Sequence, residues 1–278
     1  MLIIKKTDEL KDVLFRIKSN NKSTGFVPTM GALHQGHLSL IERARKENEV
    51  VVCSIFVNPI QFNNQSDLAN YPRTFINDIA LLENHVDIVF APEAEDVYPE
   101  PPQEIYQFGA LETVMEGAFR PGHFNGVATI VKRLLDWIEP DKAYFGEKDF
   151  QQLVIIKQLV KNCHLSTEII PCPIVREPNG LAMSSRNRLL SENEREIASN
   201  IYRILEESKS LITRPVQEIK DFVISQISAF PDMRLDYFEI SEEQTLQPVK
   251  SFEAAAEIRG FIAVFLREVR LIDNIRYK

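Results

Sequence analysis

Two histidines three residues apart are the first side chains in this sequence that suggest chemistry. The segment from Pro28 to His37 reads PTMGALHQGH, with Gly36 between His34 and His37. Helical spacing of apolar residues follows, which places both imidazoles at a helix N-terminus, beside unsatisfied backbone N–H groups and the positive end of the helix dipole. We predict a cradle for polyphosphate there, in which Gly36 lets a nucleotide approach the backbone closely.

The spacing of these histidines has two other readings. A metal-binding pair or two incidental surface histidines would give the same H-x-x-H pattern, which alone is a weak signal. The position of the pair favours a nucleotide site, because it falls in the first turn from strand to helix, where α/β proteins commonly bind nucleotides.

A second polar loop runs from Arg176 to Asn187 and contains Ser184, Ser185 and Arg186. Two hydroxyl groups and a guanidinium suit the binding of a triphosphate and the stabilisation of charge that builds up during phosphoryl transfer. A solvated linker between two domains would have a similar composition.

Alternating strands and helices must position these loops. Strands are predicted at 25–28, 50–57, 86–90, 143–145 and 168–175, with helices at 37–44, 78–82, 126–137 and 150–161. This order predicts an α/β fold with a doubly wound, Rossmann-like parallel sheet, which binds ligands at the carboxyl ends of its strands.

The pattern changes after Val175. A capping box at Ser191 and Glu194 opens a helix to about Leu205, Pro215 marks the start of another, and strands are expected at 235–240 and 261–269. We therefore predict a Rossmann-like domain over residues 1–175, and a smaller α+β domain over 176–278 that covers the active site.

Composition excludes several classes of protein. The 278 residues are 44% hydrophobic and 26% charged, which is typical of a globular protein, and the net charge of -8 argues against nucleic acid as a partner. The N-terminus lacks the apolar run of a signal peptide, and no membrane span is expected, so we predict a cytoplasmic protein. The three cysteines form no C-x-x-C pair, which argues against a disulfide framework or a zinc site.

Together the two loops resemble the HxGH and KMSKS-type signatures of the nucleotidyltransferase superfamily that includes class I aminoacyl-tRNA synthetases. Six segments and the C-terminal VRLIDN then resemble one family, the pantothenate synthetases or pantoate:β-alanine ligases. The six are VPTMGALHQGH (27–37), SIFVNPIQF (54–62), YPRT (71–74), RPGHFNGVATIV (120–131), FGEKDFQQL (145–153) and LAMSSRN (181–187).

The resemblance implies condensation of pantoate with β-alanine through a pantoyl adenylate, with release of pyrophosphate and AMP. Catalytic roles are implied for His34, His37, Lys148 and Arg186. The implied ATP site comprises Met30, His34, His37, Gly146, Lys148, Asp149, Val175, Met183, Ser184, Ser185 and Arg186. Lys148 is the best candidate for the α-phosphate, although a lysine in a charged turn is usually solvated.

The resemblance also implies a pantoate site. Gln61 and Gln152 would hold the hydroxyl and carboxylate groups of pantoate, with Asn58 orienting the pocket. Met30, Phe56, Val127, Ile130 and Val131 would form the apolar wall, although spacing alone makes these five residues core.

In some relatives the position of Asp78 lies near magnesium or a dimer contact. Because the flanking residues here are less acidic, we expect no metal site made by the protein, and Mg²⁺ to arrive on the phosphates of ATP. The 120–124 segment could be a loop that closes over the site and excludes water. The family implies a homodimer.

Two other functions remain open at this stage. A nucleotidylyltransferase of the same superfamily would leave AMP in its product, and a nucleotide-sensing module would bind without turnover. A ligase differs from both, because its product contains no adenine and it does turn over its substrates.

Overall fold

The computed structural model describes all residues, 1–278, and they form two compact units. The first comprises Met1–Phe108, Arg120–Glu147 and Gln152–Pro173, and the second comprises Gly109–Phe119, Lys148–Gln151 and Ile174–Lys278. Two short segments that precede residue 174 in the chain, 109–119 and 148–151, therefore belong to the second unit.

The first unit is built on a six-stranded sheet. Its strands are β1 (Leu2–Ile4), β2 (Thr24–Thr29), β3 (Val50–Ile55), β4 (Ile88–Phe90), β5 (Lys142–Gly146) and β6 (Glu168–Cys172). All neighbouring pairs are parallel, in the order β1-β4-β3-β2-β5-β6. The parallel, doubly wound sheet predicted from the alternation of elements is confirmed.

Helices connect these strands. They are α1 (Thr7–Ser19), α2 (Gln35–Glu47), α3 (Gln65–Asn70), α4 (Phe75–Leu82), α5 (Ala94–Val97), α6 (Met115–Phe119), α7 (His123–Ile138) and α8 (Phe150–Asn162). Short 3₁₀ helices cover Pro59–Gln61, Gly109–Glu112 and Glu147–Asp149. No helix combines the length and the apolar character needed to cross a membrane.

The order of the strands creates a switch point between β2 and β5. From β2 the chain builds outward through β3 to β4, and it later returns to add β5 on the other side of β2. β3 is buried along nearly its whole length, as its run of β-branched residues predicts for a strand covered on both faces. The loops after β2 and β5 thus leave the same edge of the sheet, where ligands bind in this fold class.

The second unit contains a three-stranded antiparallel sheet and two long helices. The sheet consists of β7 (Met233–Glu242), β8 (Ile258–Leu266) and β9 (Val269–Arg276), and the helices are α9 (Glu192–Lys209) and α10 (Val216–Ser228), with a 3₁₀ helix at Ser185–Leu189. The capping box of Ser191 and Glu194 opens α9 as predicted. Apolar residues from both helices and all three strands share one core, which confirms the α+β class.

Three predicted elements are wrong in detail. The strand predicted at 261–269 is two strands, because Arg267, with φ of 50°, turns the chain between Leu266 and Val269. No glycine, proline or asparagine marks that turn. The strand predicted to reach Val175 ends at Cys172, because its only partner, β5, ends at Gly146, directly opposite Cys172.

The 120–124 segment is also not the loop that we expected. Gly122, with φ of 79°, caps α7, and His123 and Phe124 form its first turn with buried side chains. The Nδ1 of His123 lies 2.9 Å from the carbonyl oxygen of Gln61. β1 and α1 at the N-terminus were not predicted, since their short apolar runs carry a weak periodic signal.

Candidate active site

The loop after β2 is shaped by one buried carboxylate. Gly31 and Ala32 adopt left-handed φ angles of 77° and 51°, which is unfavourable for alanine. Asp78, in the first turn of α4 and 2% exposed, accepts the backbone N–H groups of Ala32 (2.9 Å) and Leu33 (2.8 Å). The hydroxyl of Thr74 also donates to Asp78, at 3.1 Å. Asp78 thus fixes the turn that leads into the two histidines.

His34 and His37 cap the helix that they introduce. The Nδ1 of His34 accepts the Gly36 N–H at 3.1 Å, and the Nδ1 of His37 accepts the His34 N–H at 3.3 Å. The ring centroids lie 4.1 Å apart. Because each Nδ1 accepts a hydrogen bond, the proton of each neutral ring is on Nε2.

This geometry corrects one part of the predicted cradle. The N–H groups of His34 and Gly36 are bound to imidazole nitrogens, and the His37 N–H donates to the His34 carbonyl at 2.8 Å. The turn therefore does not offer these three backbone groups to a phosphate. The Nε2–H groups of the two rings take no part in these three bonds.

A cluster of polar groups surrounds Gln61. Asn58, which is 1% exposed, donates through Nδ2 to the Oε1 of Gln61 (3.0 Å) and to the Gly126 carbonyl (3.1 Å). This contact sets the orientation of the Gln61 amide, whose Nε2 lies 3.3 Å from the sulfur of Met30. The structure thus brings Met30, Asn58 and Gln61 together, whereas their use as one substrate pocket stays a prediction.

Helix α7 can approach this cluster because of a glycine. A Cβ atom on Gly126 would lie 2.5 Å from the Ile60 carbonyl oxygen, so only glycine permits the observed packing. The predicted apolar wall consists of buried residues, namely Phe56, Val127, Ile130 and Val131. Gln152 lies partly buried on α8 and makes none of the hydrogen bonds that join the Gln61 cluster.

Tyr98 belongs to the Gln61 cluster and was missed in the sequence. Its hydroxyl donates to the Oδ1 of Asn58 at 2.7 Å, and the Arg133 guanidinium lies 4.9 Å from the centre of its ring. Burial raises the pKa of Tyr98, so the phenol remains a protonated donor. A single tyrosine in a proline-rich segment carries no periodic or motif signal that would have revealed it.

Gly146 ends β5 at the switch point, and the chain continues into Lys148. A Cβ atom on Gly146 would meet no atom within 4 Å, which leaves room for a ligand beside the backbone. The Lys148 side chain is only 18% exposed, and its Nζ lies 3.6 Å from Asp149, whose side chain is 49% exposed. Lys148 is therefore not the ordinary solvated lysine that its charged neighbours suggested.

The second loop is an ordered hairpin. Backbone bonds join Met183 to Val175 (3.0 Å) and Glu177 to Leu181 (2.8 Å), while Arg176 pairs with Ala182. Beyond the hairpin, the Ser184 hydroxyl accepts the N–H of Arg186 at 3.3 Å and caps the 3₁₀ helix. These bonds contradict the alternative reading of this segment as a solvated linker.

Asn187 holds the end of that loop. Its buried Nδ2 donates to Glu177 (2.7 Å) and to the Ala182 carbonyl (3.1 Å). Ser185 is 6% exposed, whereas Ser184 and Arg186 are partly exposed. Ser184 and Arg186 are thus carried on a rigid backbone with side chains that solvent reaches.

The predicted site residues divide between the two units. In the first unit are Met30, His34, His37, Phe56, Asn58, Gln61, Val127, Ile130, Val131, Gly146 and Gln152; in the second are Lys148, Asp149, Val175, Met183, Ser184, Ser185 and Arg186. It stays a prediction that one ligand binds residues of both groups. It also stays a prediction that a C-terminal domain covers the site.

The residues do not fit a protein-borne metal centre. No group of three or more His, Cys, Asp or Glu side chains lies close enough together to hold a metal ion. Both oxygens of Asp78 already accept backbone N–H groups of the loop after β2, residues 30–37, which we call the histidine loop.

Comparison with known proteins identifies the family. The family model described as pantoate-beta-alanine ligase matches residues 2–276. A pantothenate synthetase of Bacteroides thetaiotaomicron is 50% identical over 280 residues, which cover 100% of this chain and 99% of the relative.

Solved structures give the same result. A pantothenate synthetase from Thermus thermophilus superposes with a TM-score of 0.93 at 42% identity, over 100% of this chain and 99% of the other. A pantoate-beta-alanine ligase from Francisella tularensis, complexed with beta-gamma ATP and beta-alanine, superposes with a TM-score of 0.85 at 38% identity, over 100% and 98%. This chain therefore belongs to the pantoate-beta-alanine ligase family of enzymes.

Proposed function

We propose that this enzyme joins pantoate to β-alanine to form pantothenate, with pantoyl adenylate as the intermediate and ATP as the energy source. The observation that carries the proposal is the full-length match to pantoate-beta-alanine ligases, one of which was solved with beta-gamma ATP and beta-alanine. The geometry of the histidine loop and of the Gln61 cluster supplies the donors that such substrates need.

In the first step, a carboxylate oxygen of pantoate attacks the α-phosphorus of ATP. The bond between that phosphorus and the oxygen that bridges to the β-phosphate breaks, and pyrophosphate leaves. The Nε2–H groups of His34 and His37 donate to phosphate oxygens, and Lys148 neutralises charge at the α-phosphate. Because the attacking group is already an anion, these donors lower the barrier without a general base.

Ser184, Ser185 and Arg186 complete the ATP site on this proposal. The hydrogen bond that holds the Arg186 N–H on Ser184 fixes their backbone before ATP binds. Gly146 leaves room for the nucleotide, and Asp149, with an exposed carboxylate, accepts from ribose hydroxyls. Val175 and Met183, joined by a backbone bond, place the main chain against adenine.

Pantoate is held by Gln61 and Gln152. Asn58 fixes the Gln61 amide, so that the amide is oriented before pantoate arrives. A neutral amide can hold a hydroxyl or carboxylate without a positive charge that would weaken the nucleophile. The gem-dimethyl group packs against Met30, Phe56, Val127, Ile130 and Val131.

In the second step, the neutral amine of β-alanine attacks the acyl carbon of the adenylate. The carbon–oxygen bond to AMP breaks, AMP leaves with its electron pair, and the new amide nitrogen loses a proton to solvent. Pyrophosphate departs before the amine binds. Positioning of the two reactants supplies most of the rate enhancement of this step.

Mg²⁺ accompanies the ATP phosphates on this proposal. A cytoplasmic location and a homodimer stay predictions from the sequence and its family resemblance.

Isotope exchange between pyrophosphate and ATP tests the first step. Labelled pyrophosphate should enter ATP only when pantoate is present, and β-alanine should not be required. Exchange that does not depend on pantoate would refute the pantoyl adenylate. Mass analysis of the final product should show no adenine, whereas an adenine-containing product would identify a nucleotidylyltransferase.

Two lysine variants test the role proposed for Lys148. Lys148→Ala should lower the single-turnover rate of adenylate formation by about 10²- to 10³-fold, because one charge-stabilising donor is lost. Lys157→Ala, an exposed position on α8, serves as the matched control and should retain the rate of the unmodified enzyme. A normal single-turnover rate for Lys148→Ala would overturn the role of Lys148.

A further inference from the structure

Two adjacent residues of β9, Asp273 and Asn274, hold both phosphate-binding segments of the second unit. β9 lies at the edge of the three-stranded sheet, paired only with β8. Both side chains are polar and almost fully buried, at 5% and 2% exposure. Burying a carboxylate and an amide is unfavourable unless each is fully hydrogen-bonded, so their partners indicate their role.

Asp273 anchors the hairpin that precedes Ser184. Its two oxygens accept Nη1 and Nη2 of Arg176, at 2.6 and 3.0 Å, in a two-point contact. The same guanidinium lies 3.6 Å from the ring centre of Tyr202 and donates to the Gly180 carbonyl at 3.1 Å. Arg176 is thus fixed on three sides, and with it the stem of the hairpin.

Asn274 anchors Lys148. Its Nδ2 donates to the Lys148 carbonyl oxygen at 2.9 Å, and its Oδ1 accepts from Nη1 of Arg259 at 2.6 Å. Arg259 is itself held by Glu243 at 2.9 Å, and its guanidinium lies 4.0 Å from the ring centre of Phe150. Only one orientation of the Asn274 amide satisfies both partners, so the amide cannot rotate away from Lys148.

The segments so anchored are far apart in the sequence. Lys148 follows β5, whereas Ser184 and Arg186 lie more than thirty residues later, and the anchors come from the C-terminal strand. A shift of about 1 Å in a group that binds the transition state can cost about 10²-fold in rate. A shared rigid anchor is a direct way to keep the two segments in register.

We propose that Asp273 and Asn274 are positioning residues for adenylate formation: Asn274 sets the backbone of Lys148, and Asp273 sets the loop that carries Ser184 to Arg186. The inference rests on the proposed function of these two segments. Neither side chain needs to touch a substrate for it to hold.

The variant Asn274→Asp separates the two contacts of the amide. Aspartate has nearly the same shape and still accepts from Arg259, but it cannot donate to the Lys148 carbonyl. We expect kcat for pantoate-dependent pyrophosphate–ATP exchange to fall about 10- to 100-fold, with little change in KM for ATP. Asp273→Asn weakens the contact with Arg176, and we expect it mainly to raise KM for ATP.

Asn200→Ala is the matched control. Asn200 lies in the second unit and its side chain bonds only within its own helix, α9, to the carbonyl groups of Glu196 and Ile197 and to the Arg203 guanidinium. This variant should keep the exchange kinetics of the unmodified enzyme. Urea unfolding of all variants shows which fraction is folded under the assay conditions.

A double-mutant cycle gives the decisive readout. If Asn274 acts through Lys148, Asn274→Asp should cause no further loss of kcat in the Lys148→Ala background, because coupled residues are not additive. Full additivity, or an unchanged kcat in the single variant, would overturn the positioning role. Absence of pantoate-dependent exchange in the unmodified enzyme would instead refute the proposed function, so the two failures are distinguishable.

Discussion

The two loops with recognisable motifs are held in place in different ways. The histidine loop of the first unit is fixed through its main chain, because Asp78 accepts backbone N–H groups and the histidines cap their own helix. The hairpin of the second unit is closed by its own backbone bonds and is anchored to β9 through side chains, because Asp273 accepts hydrogen bonds from the guanidinium of Arg176.

This difference determines how removal of an anchor affects the stability of the protein and the geometry of each loop. Removal of Asp78 leaves two buried backbone donors without their acceptor, so both stability and geometry should suffer together. Removal of a side-chain anchor in the second unit leaves the hairpin bonds between Val175 and Met183 intact. Loss of such an anchor should therefore displace the loop, with a smaller decrease in the free energy of unfolding than loss of Asp78.

Replacement of Asp78 is expected to have the largest effect. Asp78→Ala should lower the free energy of unfolding by about 3 kcal/mol, since three hydrogen bonds to a buried carboxylate are lost. It should also lower kcat/KM by about 10²-fold through displacement of the histidines. Urea denaturation and steady-state kinetics measure the two effects.

The neighbouring Asn77→Ala is the control for that variant. Asn77 is exposed on the same helix, so neither stability nor activity should change by more than a small amount. A stable, fully active Asp78→Ala enzyme would show that the turn of the histidine loop does not depend on this carboxylate.

Alanine at two glycines of the first unit, Gly126 and Gly146, should have different effects. Gly126→Ala should lower the free energy of unfolding by about 2 kcal/mol, because the clash with the Ile60 carbonyl outweighs the better helix propensity of alanine. Its KM for pantoate should rise, since Gln61 lies next to Ile60.

Gly146→Ala should leave stability unchanged and raise KM for ATP, because the added methyl fills open space.

These outcomes are read from unfolding curves and from KM values for both substrates. An equal rise of the two KM values in both variants would contradict separate pantoate and ATP regions.

The smallest loss of stability is expected at Glu47, the last residue of α2. Hydrogen bonds from Arg43 first, and then from Lys142, hold the pKa of Glu47 at about 2, below its ordinary value of 4.5. Because the folded-state pKa is depressed, the stabilisation is fully present above pH 4.5 and is lost as the pH falls toward 2. The side chain is 28% exposed, so we expect only about 1 kcal/mol.

Glu47→Gln should therefore be less stable than the unmodified enzyme at pH 7, and this difference should vanish near pH 2. Glu42→Gln, an exposed position on the same helix, should not show this pH-dependent difference. Unfolding measured across pH 2 to 7 checks both variants, and a Glu47→Gln difference that persists in acid would contradict the ion pair as its cause.

Much of the fold could be predicted from periodicity. The alternation of β-branched runs and amphipathic segments indicated the parallel sheet, and the capping box at Ser191 located the start of α9. The turn at Arg267 could not be predicted, because its left-handed backbone is imposed by the hairpin and not by a residue that prefers it. The start of α7 at His123 was missed because His123 and Phe124 were assigned to the loop before the helix.

The candidate site shows the same division. The motifs singled out His34, His37, Lys148 and Gln61, and the family model matches residues 2–276, which include those segments. Asp78, Tyr98, Asp273 and Asn274 received no clear role, since isolated polar residues become informative only when their burial and partners are known.

The sequence by itself determined the alternation of strands and helices and the resemblance to the ligase family, and it supplied the side chains that we propose contact phosphate. Local hydrophobic spacing and short motifs are sufficient for those conclusions, because they depend on neighbours in the chain. Only the tertiary structure decided that imidazole nitrogens occupy backbone donors of the histidine loop, and that β9 anchors Lys148 and the second loop. Such contacts join residues distant in sequence, and their strength depends on burial, which no local pattern specifies.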